Sequence, residues 1–552
     1  MIFSAVIILV CSDICQSNAA QTLTILHTTD IHGWIYGHRH ESSKNADAGD
    51  LYNFISHRKK NKAANEIVLA FDTGDMIEGT GLSEVNGSRG AEIYNIMKDI
   101  PYDAIVNGNH DIKYDKSVDH IVSSFAPAFG DRYLAGQAVY YNTSKTLGNP
   151  FKILNLDNGN GRVLLLGFTY NVANVQTHVK VTGVSAYLKQ SWFARAMATT
   201  DVKAIICLCH INTDHTHLNN IHAAIRAKQP KTPIIFLTGH SHEERTKSFD
   251  SESFAMESGK YLNTIGILSF ALPQKANKAS SNFAELTEVN GGYASGIDLT
   301  SFSKRYLETN VGKMQKEVGV NSTAWATPVG SRIKANLKSR LNANGLLKQI
   351  GCAPQFYSNM EFPLPAISLY SLLVDKVYPK SGPKRADVLK LNADLSEHEI
   401  AGNGVNTVYI QDAKMRYNVY KGSMLLDDLY CVDPMGYDQH GILNVKGSHL
   451  KALWASSSPS TSTANSMSSP SSPLFLMDDD DRVPNAPFKE GRFMTKGGIK
   501  ESEIYDVFMP LNVAAEAKQF LDTIAPGVYT IRQTGETSRS IFQKYIESTW
   551  KC

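Results

Sequence analysis

Five polar clusters interrupt the first half of this sequence, and each of them comes directly after a short apolar run. In chain order they are Asp30-Ile31-His32, Gly74-Asp75, Gly108-Asn109-His110-Asp111, His210 and Gly239-His240-Ser241-His242. The nearly continuous apolar character of the preceding runs is typical of strands that are covered on both faces. Since layered α/β folds gather their ligands at the carboxyl ends of strands, we expect these clusters to form one pocket.

The apolar runs alternate with helical patterns through the first half of the chain. Residues 50–62 between the first two runs carry an amphipathic stripe that includes Leu51, Phe54 and Ile55. This alternation predicts an α/β layered domain. The predicted strands cover residues 23–26, 67–71, 104–106, 163–168, 204–208 and 233–237.

The length of 552 residues exceeds what a single hydrophobic core supports, so we expect two large domains. We assign residues 21–345 to a catalytic domain and residues 346–552 to a C-terminal domain. Within the latter, residues 456–481 are rich in serine, threonine and proline and end in an acidic run, which predicts a disordered insertion. A net charge of +2 without a basic stripe argues against a nucleic acid polymer as partner.

The first 20 residues resemble a secretory signal peptide. An apolar stretch at residues 1–11 is followed by the small residues Ser17-Asn18-Ala19-Ala20, which predicts cleavage near Ala20. A buried strand or a membrane anchor is the alternative, but a span needs about 20 apolar residues and this run is shorter. We therefore expect a secreted protein, or one delivered to a vacuole-like lumen, without stable membrane insertion.

Sequons and cysteines fit the same compartment. Three N-x-[ST] sequons at Asn86, Asn142 and Asn321 predict possible glycosylation. Cys207 and Cys209 alternate along a predicted strand, and we expect them to pack in the core as thiols. Among the remaining cysteines, one disulfide is expected, with its partners left open. These candidates are Cys352, Cys431 and Cys552.

The pocket's mixture of carboxylate, imidazole and amide groups suits two divalent cations held side by side. Two cations about 3.5–4 Å apart need one bridging carboxylate with several neutral nitrogen or oxygen ligands around it. Zinc, manganese and similar ions accept such mixed ligands, and the sequence does not choose among them. Ligating imidazoles must be neutral, so activity should fall at acidic pH.

The motifs also resemble those of a known family. Residues 26–33, 71–75 and 107–111 are similar to the first three motifs of calcineurin-type metallophosphoesterases, and in particular of the 5′-nucleotidases that add a C-terminal nucleotide-binding domain. Residues 34–38 and 351–354 look like a fungal-type subgroup. The resemblance implies an N-terminal four-layer αββα metallophosphoesterase domain followed by a C-terminal α/β (α+β) substrate-binding domain.

The resemblance also implies roles for the pocket residues. One metal would be held by Asp30, His32 and His242, and the other by Asn109, His210 and His240, with Asp75 as the bridge. A metal-bound hydroxide would attack phosphorus, and His110 would protonate the leaving oxygen. The family commonly has a carboxylate three residues after this histidine, where this chain has Lys113, so we predict Asp111 as the orienting partner.

In the second domain, the resemblance implies three substrate contacts. Arg416 lies in the segment that is similar to the family's arginine-bearing motif, although glycines that precede the arginine in the family are absent here. Met435 stands where the family usually has a stacking phenylalanine, and Tyr437 could substitute for it. Phe493 matches the second stacking ring.

These features predict a secreted 5′-nucleotidase that acts on nucleoside monophosphates. The alternative is a broader or different phosphoesterase, acting on nucleotide diphosphates, cyclic nucleotides or general phosphomonoesters. A binding protein without activity is disfavoured, because burying the whole ligand set without a cation would be costly. The expected partner is a small-molecule phosphoester, and the oligomeric state is left open.

Overall fold

A computed structural model describes residues 21–141, 144–156, 161–170, 179–273, 303–359, 365–400, 406–412, 415–456, 492–494 and 499–552. The expected signal peptide, the sequon at Asn142 and the expected insertion from residue 457 onward lie outside these residues.

Two sheets organise the first half of the chain. The first has five strands in the order β14-β13-β1-β2-β3, and the second has six in the order β11-β12-β10-β9-β7-β6. A small sheet in the order β5-β4-β8 lies apart from them. All six predicted strands are present in these sheets. The strands are β1 (Thr22–Thr28), β2 (Glu66–Asp72), β3 (Ala104–Ile105), β4 (Ala138–Tyr140), β5 (Lys145–Thr146), β6 (Phe151–Asn155), β7 (Arg162–Thr169), β8 (Val179–Val181), β9 (Val202–His210), β10 (Ile234–Thr238), β11 (Glu244–Asp250), β12 (Ser253–Ser258), β13 (Thr264–Ala271) and β14 (Ser303–Glu308).

Helices cover the outer faces of both sheets. The first of them begins at a capping box, in which the Asp47 and Asp50 side chains accept each other's backbone N–H groups. The helices of this half are α1 (Ala48–Lys60), α2 (Gly81–Glu84), α3 (Ala91–Met97), α4 (Asp115–His120), α5 (Ala126–Phe129), α6 (Val184–Tyr187), α7 (Ser191–Met197), α8 (Thr216–Arg226), α9 (Val311–Val318), α10 (Ser322–Trp325) and α11 (Pro328–Ala343).

The apolar side chains of this half form three layers of core. One cluster lies between the two sheets and joins strands such as β1 and β2 to β7, β9 and β10. A second joins the outer face of the first sheet to α1, α3 and α11, and a third joins the outer face of the second sheet to α7 and α8. The order helix, sheet, sheet, helix confirms the four-layer αββα prediction.

The second half is built on a five-stranded mixed sheet in the order β19-β16-β20-β18-β21, with a two-stranded sheet formed by β15 and β17. Helices pack on both faces of the larger sheet. The strands are β15 (Gln349–Ala353), β16 (Asn406–Asp412), β17 (Gly422–Leu425), β18 (Asp438–Lys446), β19 (Arg492–Met494), β20 (Ile504–Pro510) and β21 (Arg532–Thr537). The helices are α12 (Leu369–Leu372), α13 (Tyr378–Ser381), α14 (Arg385–Leu391), α15 (Glu397–Ile400), α16 (Leu426–Val432), α17 (Gly447–Ser456), α18 (Leu511–Ile524) and α19 (Ser538–Thr549).

The core changes between Leu346 and Ile350. Leu346 packs with the cluster of the first half, whereas Ile350 packs with that of the second. Leu346, the first residue that we assigned to the C-terminal domain, thus packs with the first half, and the division at residues 345–346 stays a prediction. Within the described residues, no helix has both the length and the apolar character that a membrane span needs.

A disulfide joins Cys352 in β15 to Cys552, across a sequence separation of 200 residues. In the chain-entropy model, a loop of this length stabilises the folded state by on the order of 5 kcal/mol. Cys207, Cys209 and Cys431 are buried and free, as expected for the first two.

Candidate metal centre

The five polar clusters converge at one edge of the two sheets. Because β1, β2 and β3 are parallel in the first sheet, as β9 and β10 are in the second, their carboxyl ends meet there. All of the predicted metal ligands are buried except His242, which is half-buried as a residue although its side chain is only 6% exposed. The expected convergence is therefore present.

The first group of donors consists of Asp30, His32 and His242. Nε2 of His242 lies 3.0 Å from Nε2 of His32 and 3.7 Å from Oδ1 of Asp30. The backbone N–H of His240 donates to both carboxylate oxygens of Asp30 at 3.1 Å. One imidazole pair and one carboxylate therefore face a common point, as three ligands of one metal would.

The second group is built around the side-chain oxygen of Asn109. Oδ1 of Asn109 lies 3.1 Å from Nε2 of His210 and 3.0 Å from Nδ1 of His240. Asp75, His210 and His240 also have ligand atoms that lie within 4.8 Å of one another. This arrangement offers two imidazoles, one amide oxygen and one carboxylate.

Asp75 lies between the two groups. Its Oδ2 is 3.2 Å from Nε2 of His210 and 3.8 Å from Nε2 of His32. Among the described residues, no group donates a hydrogen bond to this buried oxygen. A buried carboxylate oxygen surrounded by imidazole nitrogens but without a donor is a natural ligand for a cation.

Backbone carbonyls orient two of the rings. Nδ1 of His32 bonds the carbonyl oxygen of Ile77 at 2.8 Å, and Nδ1 of His210 bonds that of Thr73 at 2.8 Å. In a neutral imidazole, donation from Nδ1 leaves the Nε2 lone pair directed into the pocket. Both rings are therefore oriented as metal ligands.

The charge of the pocket favours a cation at this point. Burial lowers the pKa of His210, but the neighbouring Asp75 and Asp30 outweigh burial and raise this pKa to about 9. Positive charge next to Asp75 is therefore stabilised, and a divalent cation supplies such a charge while leaving the imidazole neutral.

The loops that carry these residues adopt left-handed backbone conformations. Six non-glycine residues of the pocket have φ between 48° and 80°, a region that Asp and His visit more readily than most side chains. Such conformations persist only where the surrounding structure imposes them, and they are common at functional sites. The six residues are Asp30, His32, Asp75, Glu78, His240 and His242.

Gly108 is required by close packing. A Cβ atom at this position would lie 1.9 Å from Oδ1 of Asp75, so no larger residue fits without moving the carboxylate. The same oxygen accepts a hydrogen bond from the backbone N–H of His110 at 2.8 Å. The loop after β3, which carries Gly108 and His110, therefore fixes the position of Asp75.

The prediction that Asp111 orients His110 is wrong. Nδ1 of His110 instead hydrogen-bonds Oε2 of Glu78. The carboxylate of Asp111 accepts backbone N–H donors from Asp75, Met76 and Gly108, at 2.8, 3.1 and 2.8 Å. Burial and the nearby Asp75 raise the pKa of Asp111 to about 6. Asp111 therefore shapes the loop of Asp75.

Sequence reasoning missed Glu78, a fully buried carboxylate in the loop after β2. Burial raises its pKa, but Lys113, His110 and Arg416 outweigh burial and hold this pKa well below its usual value. The sequence signal that could have identified Glu78 is its place three positions after Asp75, as an acidic residue between the apolar pair Met76-Ile77 and Gly79.

Arg416 from the second half reaches into the same pocket. Its Nη1 donates to the carbonyl oxygen of Glu78 at 3.2 Å, and its Nη2 lies 3.3 Å from Nε2 of His110. Tyr437 is half-buried immediately before β18, where its carbonyl oxygen accepts the N–H of Ser538. Phe493 lies in the edge strand β19 opposite Gln411. The structure thus brings Arg416 to the metal centre, and the base-stacking roles of Tyr437 and Phe493 stay predictions.

A network of contacts joins the two halves beside this pocket. Asp427 of α16 accepts hydrogen bonds from the Tyr36 hydroxyl and, at 3.0 Å, from the Gly81 N–H. Asp428 forms ion pairs with Arg39 and His40. Residues 36–40 therefore connect the metal-centre loops to the second half.

Family and structure comparisons agree on the first half of the chain. Residues 23–244 match the family model described as calcineurin-like phosphoesterase. An uncharacterised protein of Schizosaccharomyces pombe is 27% identical over 424 residues, which are 75% of this chain and 68% of that protein. Human 5′-nucleotidase is 33% identical over 107 residues, which are 19% of this chain and 18% of the human protein.

The solved structure of the 5′-nucleotidase from Candida albicans superimposes on this chain with a TM-score of 0.76 and 20% identity, and the match covers 96% of this chain and 98% of that one. At this identity the likeness shows the fold.

Proposed function

We propose that this chain, which carries a calcineurin-like phosphoesterase domain at residues 23–244, is a dinuclear metal-dependent 5′-nucleotidase that hydrolyses the phosphate of nucleoside monophosphates. The observation that carries the proposal is the position of Asp75 Oδ2, within 3.8 Å of Nε2 atoms from both donor groups. A carboxylate between two sets of imidazole, amide and carboxylate donors is what a pair of divalent cations requires.

The ligand assignment follows the two groups. Asp30, His32 and His242 would hold one cation, Asn109, His210 and His240 the other, and Asp75 both. When bound, such cations activate water for attack on phosphorus and neutralise charge on the phosphoryl oxygens. The mixed oxygen and nitrogen donors suit zinc, manganese or a similar ion.

His110 and Arg416 act on the substrate in this proposal. Nε2 of His110 faces the same pocket, 4.0 Å from Oδ2 of Asp75. A proton at this nitrogen can pass to the leaving oxygen, as general acid catalysis requires. The guanidinium of Arg416 lies beside that nitrogen and can bind a phosphoryl oxygen through a charge-assisted hydrogen bond.

The nucleotide preference rests on the second half and on the human relative, which its name describes as a 5′-nucleotidase. We propose that Tyr437 and Phe493 contact the base. We further propose that the protein is delivered through the secretory pathway, where disulfides such as Cys352–Cys552 persist. The sequon residues Asn86 and Asn321 are exposed and accessible to glycosylation.

A substrate panel tests the proposal. One would measure kcat/KM for AMP, a dinucleotide, a cyclic nucleotide and p-nitrophenyl phosphate, each with and without removal of bound metal. We expect the highest value for AMP and the loss of all phosphate release after metal removal. A strong preference for p-nitrophenyl phosphate would contradict the nucleotidase assignment and favour the broader phosphoesterase. Undiminished phosphate release without metal would contradict the hydrolytic mechanism itself.

A further inference from the structure

Glu78 has no role in the assignments above, although its carboxylate is fully buried next to the reacting groups. Its φ of 71° is left-handed, and its backbone N–H donates to the Ser83 hydroxyl at 2.7 Å. A buried carboxylate is costly unless several donors compensate its charge. The identity of those donors indicates what this carboxylate does.

One donor is the ring of His110. Oε2 of Glu78 hydrogen-bonds Nδ1 of His110, and the opposite ring nitrogen, Nε2, faces Asp75 and Arg416. A carboxylate at one imidazole nitrogen fixes both the ring orientation and the tautomer, and so determines what the other nitrogen presents to a substrate.

The other donors are Lys113 and Tyr114. Nζ of Lys113 lies 3.2 Å from both oxygens of Glu78, and the Tyr114 hydroxyl donates to Oε1 at 3.0 Å. Arg89 in turn lies over the Tyr114 ring, 3.8 Å from its centroid. The carboxylate is therefore held from two sides and cannot rotate away from the histidine without losing these bonds.

Lys113 occupies the position, three residues after His110, where the sequence resemblance led us to expect a carboxylate. His110 still has an anionic partner, because the loop after β2 supplies Glu78. Lys113 binds the carboxylate of this glutamate. The lysine and the glutamate thus fit together as one unit.

We propose that Glu78 is the positioning residue for His110 and that Lys113 holds Glu78 in place. The inference rests on the proposed phosphoester hydrolysis. In that reaction, the water loses one proton to solvent as its oxygen bonds to phosphorus, and the bond from phosphorus to the leaving oxygen breaks. The leaving oxygen takes the proton from Nε2 of His110, whose Nδ1–H stays bonded to Glu78. Glu78 itself touches neither substrate nor reacting atoms.

The test uses the dependence of the rate on the leaving group, since protonation matters most for poor leaving groups. One would measure kcat and KM for AMP, phenyl phosphate and p-nitrophenyl phosphate with the metal-loaded full-length protein. For Glu78→Gln we expect kcat for AMP and phenyl phosphate to fall about 100-fold and kcat for p-nitrophenyl phosphate to fall by less than about 3-fold. KM and metal content should stay within about 3-fold of wild type, the level of an unperturbed site.

Glu66→Gln is the control, because Glu66 is a largely buried carboxylate that bonds Thr24 and Arg58 at the start of β2, at the opposite end of this strand from the pocket. It should leave the leaving-group dependence unchanged. Lys113→Gln leaves the buried glutamate in place. Like Glu78→Gln, it should lower kcat for AMP and phenyl phosphate more than kcat for p-nitrophenyl phosphate, but by a smaller factor. If Glu78→Gln does not fold, the Lys113→Gln result decides.

Two results would overturn the proposal. One is a leaving-group dependence in Glu78→Gln equal to that of wild type. The other is an equal loss for all three substrates accompanied by loss of metal, which would make Glu78 a purely structural residue. Failure of the nucleotidase assignment is recognised separately, as a wild-type rate for AMP far below that for the aryl esters. The two aryl esters then still decide the role of Glu78.

Discussion

Nη2 of Arg416 lies 3.3 Å from Nε2 of His110, although 306 positions separate the two residues in the chain. The arginine follows β16 in the second half, and the histidine follows β3 in the first. A complete pocket therefore requires both halves to be docked. The contacts of Asp427 and Asp428 with the segment around Tyr36 hold them in this arrangement.

Removing the Arg416 guanidinium should weaken catalysis without displacing metal. For Arg416→Met we expect kcat/KM for AMP to fall about 10- to 100-fold, the value of a hydrogen bond to a charged group. Metal content per chain should stay the same, because arginine is not a ligand. Arg305→Met, at an exposed ion pair with Glu317, is the control and should behave as wild type. Wild-type kcat/KM in Arg416→Met would exclude a substrate contact.

Asp75 should be needed for both cations. For Asp75→Asn we expect metal analysis to show less than one ion per chain, since the amide removes the charge that both donor groups share. Phosphate release should be lost in parallel and should not return on addition of manganese or zinc. Asp131→Asn, at a side chain that is 70% exposed, should keep full metal content. Retention of two ions in Asp75→Asn would rule out the bridging role.

A methyl group at Gly108 should disrupt the centre. Gly108→Ala places a carbon 1.9 Å from Oδ1 of Asp75, so the carboxylate or the loop must move. We expect metal affinity to fall at least 10-fold, as when the groups that support a metal ligand are altered. Gly312→Ala in α9 is the control, because only Oδ1 of Asn310 comes within 4 Å there, at 3.3 Å. Titration of the apo-protein with zinc measures both, and equal affinities would contradict the expectation.

The stability of the second half should depend on pH through Glu399. Its carboxylate bonds Arg532 at 2.6 and 2.8 Å, and the hydrogen bond from Arg532 lowers its pKa from 4.5 to about 2. A lowered pKa means that the pair stabilises the fold fully above pH 4.5 and loses this contribution as the pH falls towards 2. Glu399→Gln should lose about 1 kcal/mol at pH 7, because Arg532 keeps Asp394 as its second partner.

The measurement is the unfolding midpoint of wild type and Glu399→Gln between pH 2.5 and 7. The difference between the two proteins should shrink on acidification. A difference that is constant over this range would show that the ion pair contributes nothing to the pH dependence. Glu547→Gln, at the exposed end of α19, is the control.

The sequence predicted the sandwich because each buried strand is an almost continuous apolar run. Residues 204–208 and 233–237, for example, are buried throughout. The metal-centre residues were predictable for the same reason, since strand ends in parallel sheets meet at one edge. The contact between Tyr36 and Asp427 was not, because 391 residues separate the two and no local pattern marks either of them.

The partner of His110 shows why adjacency in sequence misleads. Asp111 directly follows the histidine, but consecutive residues of a loop point in different directions, and its carboxylate accepts N–H groups behind the pocket. Glu78 is 32 positions away and meets the ring because the loops after β2 and β3 pack together. Such a pairing depends on tertiary geometry, which periodicity and composition do not encode.

The left-handed residues of the ligand loops have a consequence for how the pocket binds metal and substrate. Each of these backbone angles is set when the sandwich folds, so imidazoles and carboxylates stand together before any ion or phosphate arrives. Little reorganisation then accompanies binding, and the folding free energy of the two sheets has already overcome the repulsion among the gathered donors. Variants that loosen the sandwich far from the cleft should therefore release metal first and unfold only later.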